Sequence, residues 1–205
     1  MGFYAKYVLP RLIDLAMRNK DTARLRAECV PQARGDVLEI GIGSGLNLPF
    51  YSSEVRQLCG IDPSIELQRM AQKKAASVPF KLAFISQSAE EPLPFENSSM
   101  DTIVMTWTLC SIPNPGIALQ QMRRVLKPGG RMIYIEHGRS PDRLVVKWQD
   151  RLTPVWKKLG GGCHLNRKID DLITTAGFEI SDQTKFYLSG PHPLTYTYKG
   201  IAHLR

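Results

Sequence analysis

No stretch of about 18 apolar residues occurs in this 205-residue chain, so no membrane-spanning helix is expected. The first residues lack the pattern of a secretory leader: Lys6, Arg11 and Asp14 interrupt a short apolar run. A cytoplasmic protein is expected. Cysteine is sparse and never occurs as C-x-x-C; Cys29, Cys59, Cys110 and Cys163 lie far apart, which argues against a disulfide frame and a zinc site. The four histidines are scattered, and Cys163-His164 is a weak signal for a metal, so none is expected. The net charge is +8, yet the Lys and Arg are spread along the chain with no basic block interleaved with aromatics and no recognisable nucleic-acid module. A solvated basic surface is expected, with a preference for anionic substrates as the second reading and no nucleic-acid partner. No internal repeat or low-complexity tract appears, and the length suits one α/β domain.

What is present is concentrated in Val37-Leu-Glu-Ile-Gly41-Ile-Gly43-Ser-Gly45, an apolar run broken by three glycines at alternate positions. Cys59-Gly-Ile-Asp62-Pro63 follows about twenty residues later. This reads as a strand, a tight turn, and a second strand ending in a carboxylate. Glycines let a ligand come close to the backbone, and an acid at the next strand tip can accept hydrogen bonds from ribose hydroxyls. A nucleoside-containing cofactor is implied. A dinucleotide site needs a further glycine where Leu46 stands, so that fingerprint fails.

Along the chain, strands and helices alternate. Strands are expected at Asp36 to Ile40, Gln57 to Ile61, Lys81 to Ser86, Thr102 to Trp107 and Arg131 to Glu136. Helices are expected at Leu46 to Ser52, Pro63 to Ala76 and Gly116 to Leu126, the last stopped by Lys127-Pro-Gly-Gly130. The alternation predicts a doubly wound, mostly parallel sheet of seven strands, with ligands outside the carboxyl ends of the strands. The chain divides into an N-terminal helical cap (1–33), a cofactor-binding core (34–136), and acceptor-side helices with C-terminal strands (137–205). The cap is read as helical from Tyr4 to Val30, its second piece opened by Asp21. Three roles fit it: a lid over the site, packing at the sheet edge, or, through Phe3, Tyr4 and Tyr7, a weak peripheral contact with lipid. After His137 a long helix is expected from Pro141 to Leu159, another from Arg167 to Ala176, and strands at Phe178 to Thr184 and Thr195 to Ala202.

The pattern Glu39-x-Gly41-x-Gly43-x-Gly45 resembles motif I of class I S-adenosylmethionine (AdoMet) methyltransferases. Ser88-Ala89-Glu90 followed by Leu93-Pro-Phe95 resembles the segment bordering adenine in those enzymes, with Ser88 in place of the usual Asp. Ser99-Met-Asp101-Thr-Ile-Val104 and Arg124-Val-Leu-Lys-Pro-Gly-Gly130 resemble the motifs around the next two strands. The resemblance implies a cofactor set of Glu39, Gly41, Gly43, Gly45, Asp62, Pro63, Ser88, Ala89, Glu90 and Thr106. Thr108-Leu-Cys-Ser111, Glu136-His137, Trp148-Gln149, Leu152-x-Pro154-x-Trp156 and Gly162-Cys-x-Leu-x-Arg167 resemble the methyltransferase-like thiol S-methyltransferases of animals and their bacterial relatives. Animal members carry an apolar N-terminal anchor that this sequence does not show. The resemblance implies methylation of a small-molecule acceptor, a thiol above all.

A thiol acceptor asks little of an enzyme, since the thiolate fraction present at neutral pH already attacks well. His137 is the candidate base, because imidazole titrates near neutrality; Glu136 could orient it or belong to a structural pair. Trp107 and Cys110 should line the crevice, with Trp148, Trp156 and Cys163 as acceptor-pocket walls. Leu109 precedes Cys110 where enzymes that methylate pyrimidine carbons place proline. Thr106-Trp-Thr-Leu109 stands where methyltransferases acting on the amines of nucleic acids or protein glutamine carry [D/N]-P-P-[Y/F]. The alternatives left open are C- or O-methylation of a quinone or phenol, and a non-catalytic nucleoside-binding protein.

Overall fold

The computed structural model describes Tyr4, residues 8–76 and residues 78–205. The expected lipid contact of Phe3 and Tyr7 falls outside those residues. Seven strands, β1 (Gly35–Ile40), β2 (Val55–Ile61), β3 (Lys81–Ile85), β4 (Met100–Thr106), β5 (Leu126–His137), β6 (Phe178–Tyr187) and β7 (Tyr196–Leu204), form one sheet in the order β3-β2-β1-β4-β5-β7-β6. β1 to β5 run parallel and β7 is antiparallel to β5 and β6. The chain order reverses between β1 and β4, and this switch point is where a crevice opens beyond the strand ends.

Alternate side chains of β4 serve two cores. Ile103 and Met105 pack on one face with Leu38, Ile40 and Tyr134, while Val104 packs on the other with Val37, Ile133 and Ile135. The period of two along a strand sends neighbours to opposite faces, and a sheet buried on both sides needs apolar residues at nearly every position. Helix α4 (Pro115–Val125) buries Ala118, Leu119, Met122 and Val125 against the first face. Their spacing makes one helical stripe, and full burial of a Leu or Val is worth roughly 1.5–3 kcal/mol. Helix α2 (Lys20–Cys29) covers the second face with Leu25 and Cys29. Helix α3 (Ile65–Ala75) begins at Ser64, whose Oγ accepts from Leu67 N–H.

Several boundaries differ from the sequence expectation. Asn19, not Asp21, caps α2, its Oδ1 accepting from Thr22 N–H at 2.9 Å; Asp21 sits inside the first turn. The helix expected at Leu46 to Ser52 is only a 3-10 turn, Leu48–Phe50, because Pro49 removes a donor. The Lys127-Pro-Gly-Gly130 stop lies within β5, which starts at Leu126. Between Leu126, opposite Met100, and Arg131, opposite Thr102, the segment loops out as a bulge with Gly129 at φ +76°. The link between β6 and β7 contains a short helix, α7 (His192–Thr195).

Helix α1 (Leu9–Ala16) lies over the crevice, with Leu9, Leu12, Ile13 and Asp14 among its lining residues. Beyond β5 come α5 (Arg143–Leu159) and α6 (Ile169–Thr175). No helix among the described residues is long and apolar enough to cross a membrane.

Candidate active site: a glycine turn, a buried carboxylate network and a sulfur-lined end

The three glycines after β1 all adopt left-handed backbone, at φ +73°, +54° and +72° for Gly41, Gly43 and Gly45. Their reasons differ. A side chain at Gly41 would collide with Thr108, its Cβ falling 2.2 Å from Oγ1. At Gly43 a Cβ would meet only the Gly41 carbonyl, at 3.8 Å, so this backbone is bare towards the crevice. Gly45 lets the turn settle on α3 near Ala71 and does not line the crevice.

Asp62, at the tip of β2, is buried and lines the crevice. Its Oδ2 accepts from Gly43 N–H at 3.0 Å and its Oδ1 from Ser64 N–H at 2.8 Å. One carboxylate thereby ties the glycine turn to the start of α3, and each oxygen keeps a lone pair for another donor. Burial raises its pKa, against the pull of the two backbone donors. Gln68 supports the same corner by donating to the carbonyls of Asp62 and Ile85.

Glu39, wholly buried on β1, accepts from Asn47 Nδ2 at 2.8 Å and Tyr51 Oη at 2.7 Å. Burial pushes its carboxyl up to about 7. Asn47 also donates to Thr106 Oγ1 and accepts from Arg26 Nε, while the Arg26 guanidinium lies 4.8 Å from the Trp107 ring centre. Burial brings Arg26 down to about 10. Arg26 and Asn47 escaped the sequence reading. Helix α2 also carries Arg24, and which of its two arginines the fold covers is unreadable without knowing which face is buried. Trp107 stands at φ +52°, a left-handed position uncommon for a residue with a side chain.

Pro63, Ser88 and Ala89 line the crevice beside Asp62. Glu90 does not: its Oε1 turns to Asn114, accepting from N–H at 3.1 Å and Nδ2 at 2.6 Å, and so pins this turn to the loop before α4.

At the other end Trp107, Cys110, His137, Trp156 and Cys163 come together. Cys163 Sγ is 3.5 Å from Cys110 Sγ and 3.9 Å from His137 Nδ1. The Cys110 hydrogen bond holds the Cys163 thiol well below its ordinary range, helped by His137. Cys110, fully buried and near Glu136, is pushed the opposite way by that shared bond and by burial. The His137 side chain is buried, and its Nε2 has no hydrogen-bond partner among the described residues. Glu136 does not touch His137. Its Oε1 accepts from Thr108 and Leu109 N–H, both at 2.9 Å, and its Oε2 from Cys110 N–H at 3.1 Å. It holds the loop after β4 in shape. Arg167 clamps the far side of that loop by donating to the carbonyls of Leu109 and Ile112, both at 2.6 Å. Trp148 lies elsewhere, 56% exposed on the outer face of α5, and the expectation that it walls the pocket is corrected.

The crevice has a volume of about 1780 Å³, more than the 300–1,000 Å³ usual for one ligand, so it suits two ligands side by side. A bare glycine turn, a strand-tip carboxylate with free lone pairs and a buried Glu–Asn–Arg network fit a nucleoside-bearing cofactor with a charged tail.

Comparison with known proteins agrees. A methyltransferase domain family matches residues 38–134. The thiol S-methyltransferase TMT1B of Rattus norvegicus is 37% identical over 146 residues, 69% of this chain; the match spans 59% of that relative's length. A phosphatidylethanolamine N-methyltransferase of Cereibacter sphaeroides is 32% identical over 166 residues, 80% of each chain. The crystal structure of a SAM-dependent methyltransferase from Methanosarcina mazei superposes with a TM-score of 0.68 at 26% identity, covering 84% of this chain and 93% of the other. With this turn, this carboxylate and these relatives, the chain belongs to the class I S-adenosylmethionine-dependent methyltransferases, and within them it resembles the thiol S-methyltransferases.

Proposed function

We propose that the protein transfers a methyl group from AdoMet to a small acceptor, and that the acceptor is a thiol. What supports the thiol reading is His137, whose buried Nε2 has no hydrogen-bond partner among the described residues, in a crevice also lined by Trp107, Trp156, Cys110 and Cys163, together with the likeness to thiol S-methyltransferases. A buried polar atom left without a partner costs about 1–3 kcal/mol, and an acceptor S–H would satisfy it.

Asp62 and the Gly43 backbone would hold the nucleoside, and the Glu39–Asn47–Arg26 network would border the amino-acid tail. Bound AdoMet supplies an electrophilic methyl on a sulfonium sulfur, which leaves with its electron pair. The protein's part is alignment and one proton. Cys163 beside His137 Nδ1 favours the tautomer with its proton on Nδ1, which leaves the lone pair of Nε2 free to accept. Nε2 would take the proton of the acceptor thiol and so free its sulfur to act as the nucleophile. The loop held by Glu136 and Arg167 keeps Trp107 and Cys110 against the acceptor, an ordering contribution of the kind that dominates displacement reactions.

The test is transfer of labelled methyl from AdoMet to a small alkyl thiol, a hydroquinone or phenol, and phosphatidylethanolamine. The last is the acceptor in the Cereibacter relative's name. Thioether formation is expected. His137→Ala should lower turnover more at pH 6 than at pH 9, because at the higher pH a free thiol is largely ionised without help. Methylation of the phenol or the lipid amine with no thiol product overturns the thiol reading. Cofactor binding with no transfer to any acceptor makes the protein a nucleoside-binding module instead.

A further inference from the structure

Helix α5 carries Leu144, Trp148, Leu152, Val155 and Leu159 at spacings of four, four, three and four. At about 100° per residue these fall on one stripe. All five face outwards, between 37% and 73% exposed, while Gln149 and Thr153 on the opposite side are buried. Five apolar side chains left this exposed add little to the packing among the described residues. The same helix places Lys147, Arg151 and Lys158 in a row immediately beside the stripe, with Arg143 and Lys157 further round, all exposed. Its acidic residue, Asp150, is turned to Arg139 and Asn166. The stripe ends at the mouth of the crevice: Leu159, Gly160 and Gly161 line it together with Leu12 and Ile13 of α1. A Cβ on Gly161 would lie 3.0 Å from Ile13 Cδ1, so the segment just after α5 meets α1 there. Leu12 and Leu15 extend the exposed apolar surface, and Arg11 extends the basic one, while Arg18 pairs with Asp14.

We propose that α5, with the exposed edge of α1, is a docking face for an anionic lipid surface, and that the crevice opens at its edge. Apolar side chains sink to the acyl boundary while a basic row pairs with the headgroups, the arrangement of interfacial helices. The adjacent run of like charge singles out an anionic layer, as does the chain's net charge of +8. An apolar acceptor dissolved in such a layer could pass into the crevice without crossing water; this part rests on the methyl-transfer reading, whereas the docking itself does not.

The experiment is flotation of the full chain with vesicles of phosphatidylcholine alone and of phosphatidylcholine mixed equally with phosphatidylglycerol, without cofactor or acceptor. Binding to the anionic vesicles only, weakening with added salt, is expected, together with a blue shift of tryptophan emission that Trp148→Phe reduces. Trp148→Glu with Leu152→Glu, and separately Lys147→Glu with Arg151→Glu, should each lower partitioning by more than about tenfold, since each basic residue near such a surface contributes about a factor of five. All four positions are exposed, and circular dichroism checks that the variants fold. The proposal is overturned by no association with anionic vesicles, or by equal association of the variants. It is also overturned if light scattering shows that the Glu variants break a dimer, which would make the stripe a contact between copies of the chain. None of these results bears on methyl transfer, so the two readings fail separately.

Discussion

Glu136 shows how much a single side chain can organise. It is a carboxylate at the end of β5, shut away from water, that collects three successive backbone N–H groups from the loop after β4. Burial nonetheless wins over those bonds and raises it to about 7; Glu39 is raised to about 7 in the same way. A carboxyl raised in the folded state binds its proton more tightly there than in the unfolded chain. Stability from these two groups is therefore fully present below about 4.5, the unfolded value, and is lost as pH rises towards 7, by about 3 kcal/mol each. His164, lowered chiefly by burial, works in the opposite sense, so the comparison must be between variant and parent. Glu136→Gln should flatten the decline in urea midpoint between pH 5 and pH 7.5. At pH 7 it should also cost about 1–3 kcal/mol, because an amide N–H then faces the Cys110 N–H. An unchanged slope would mean that Glu136 is not the titrating group. From sequence, Glu136 was readable as a polar residue at a strand end. Its three partners were not, because they lie 26 to 28 residues away and are backbone atoms. The same is true of Cys110 and Cys163, 53 residues apart in the chain and adjacent in space.

At the scale of elements, the turn after β1 was the clearest part of the sequence, since glycines at alternate positions just past an apolar run mark left-handed backbone and little else. The structure divides their work, and the division can be tested. Gly41→Ala should cost more than the about 1–2 kcal/mol of left-handed backbone, because it also pushes Thr108 and the loop held by Glu136. Gly43→Ala should cost no more than that in stability, yet it places a methyl on bare crevice wall beside Asp62. It should therefore weaken AdoMet binding by about tenfold or more, read by calorimetry. Were Gly41→Ala the milder change for folding, the close approach of Thr108 would be wrong. Helix α5 taught the opposite lesson. Its length and periodicity were plain, but a helix containing two tryptophans and several leucines reads equally as core or as surface. Only packing showed that Trp156 turns to the crevice and Trp148 turns away.

For the molecule as a whole, the cofactor should act as part of the fold. The crevice draws on α1, α2, the ends of β1, β2, β4 and β5, and the segment after α5, so a ligand bound there ties the N-terminal helices to the sheet ends. AdoMet at a hundred times its dissociation constant should add about 2.7 kcal/mol. For a chain of this size that raises the melting temperature by about 5–10 °C. Asp62→Ala should shrink the shift; no shift in the parent protein at saturating AdoMet would count against the site. The sequence by itself determined the parallel half of the sheet, the turn, the strand-tip acid and the family. Those are encoded by local rules, the period of two, the glycine conformations and the spacing from one strand to the next. The tertiary structure alone decided that Glu136 binds a loop and not His137. It also decided that two distant cysteines meet beside an imidazole nitrogen with no partner among the described residues, and that one face of α5 stays exposed. Those outcomes depend on which surfaces the fold brings together, and no neighbouring residue in the chain carries that information.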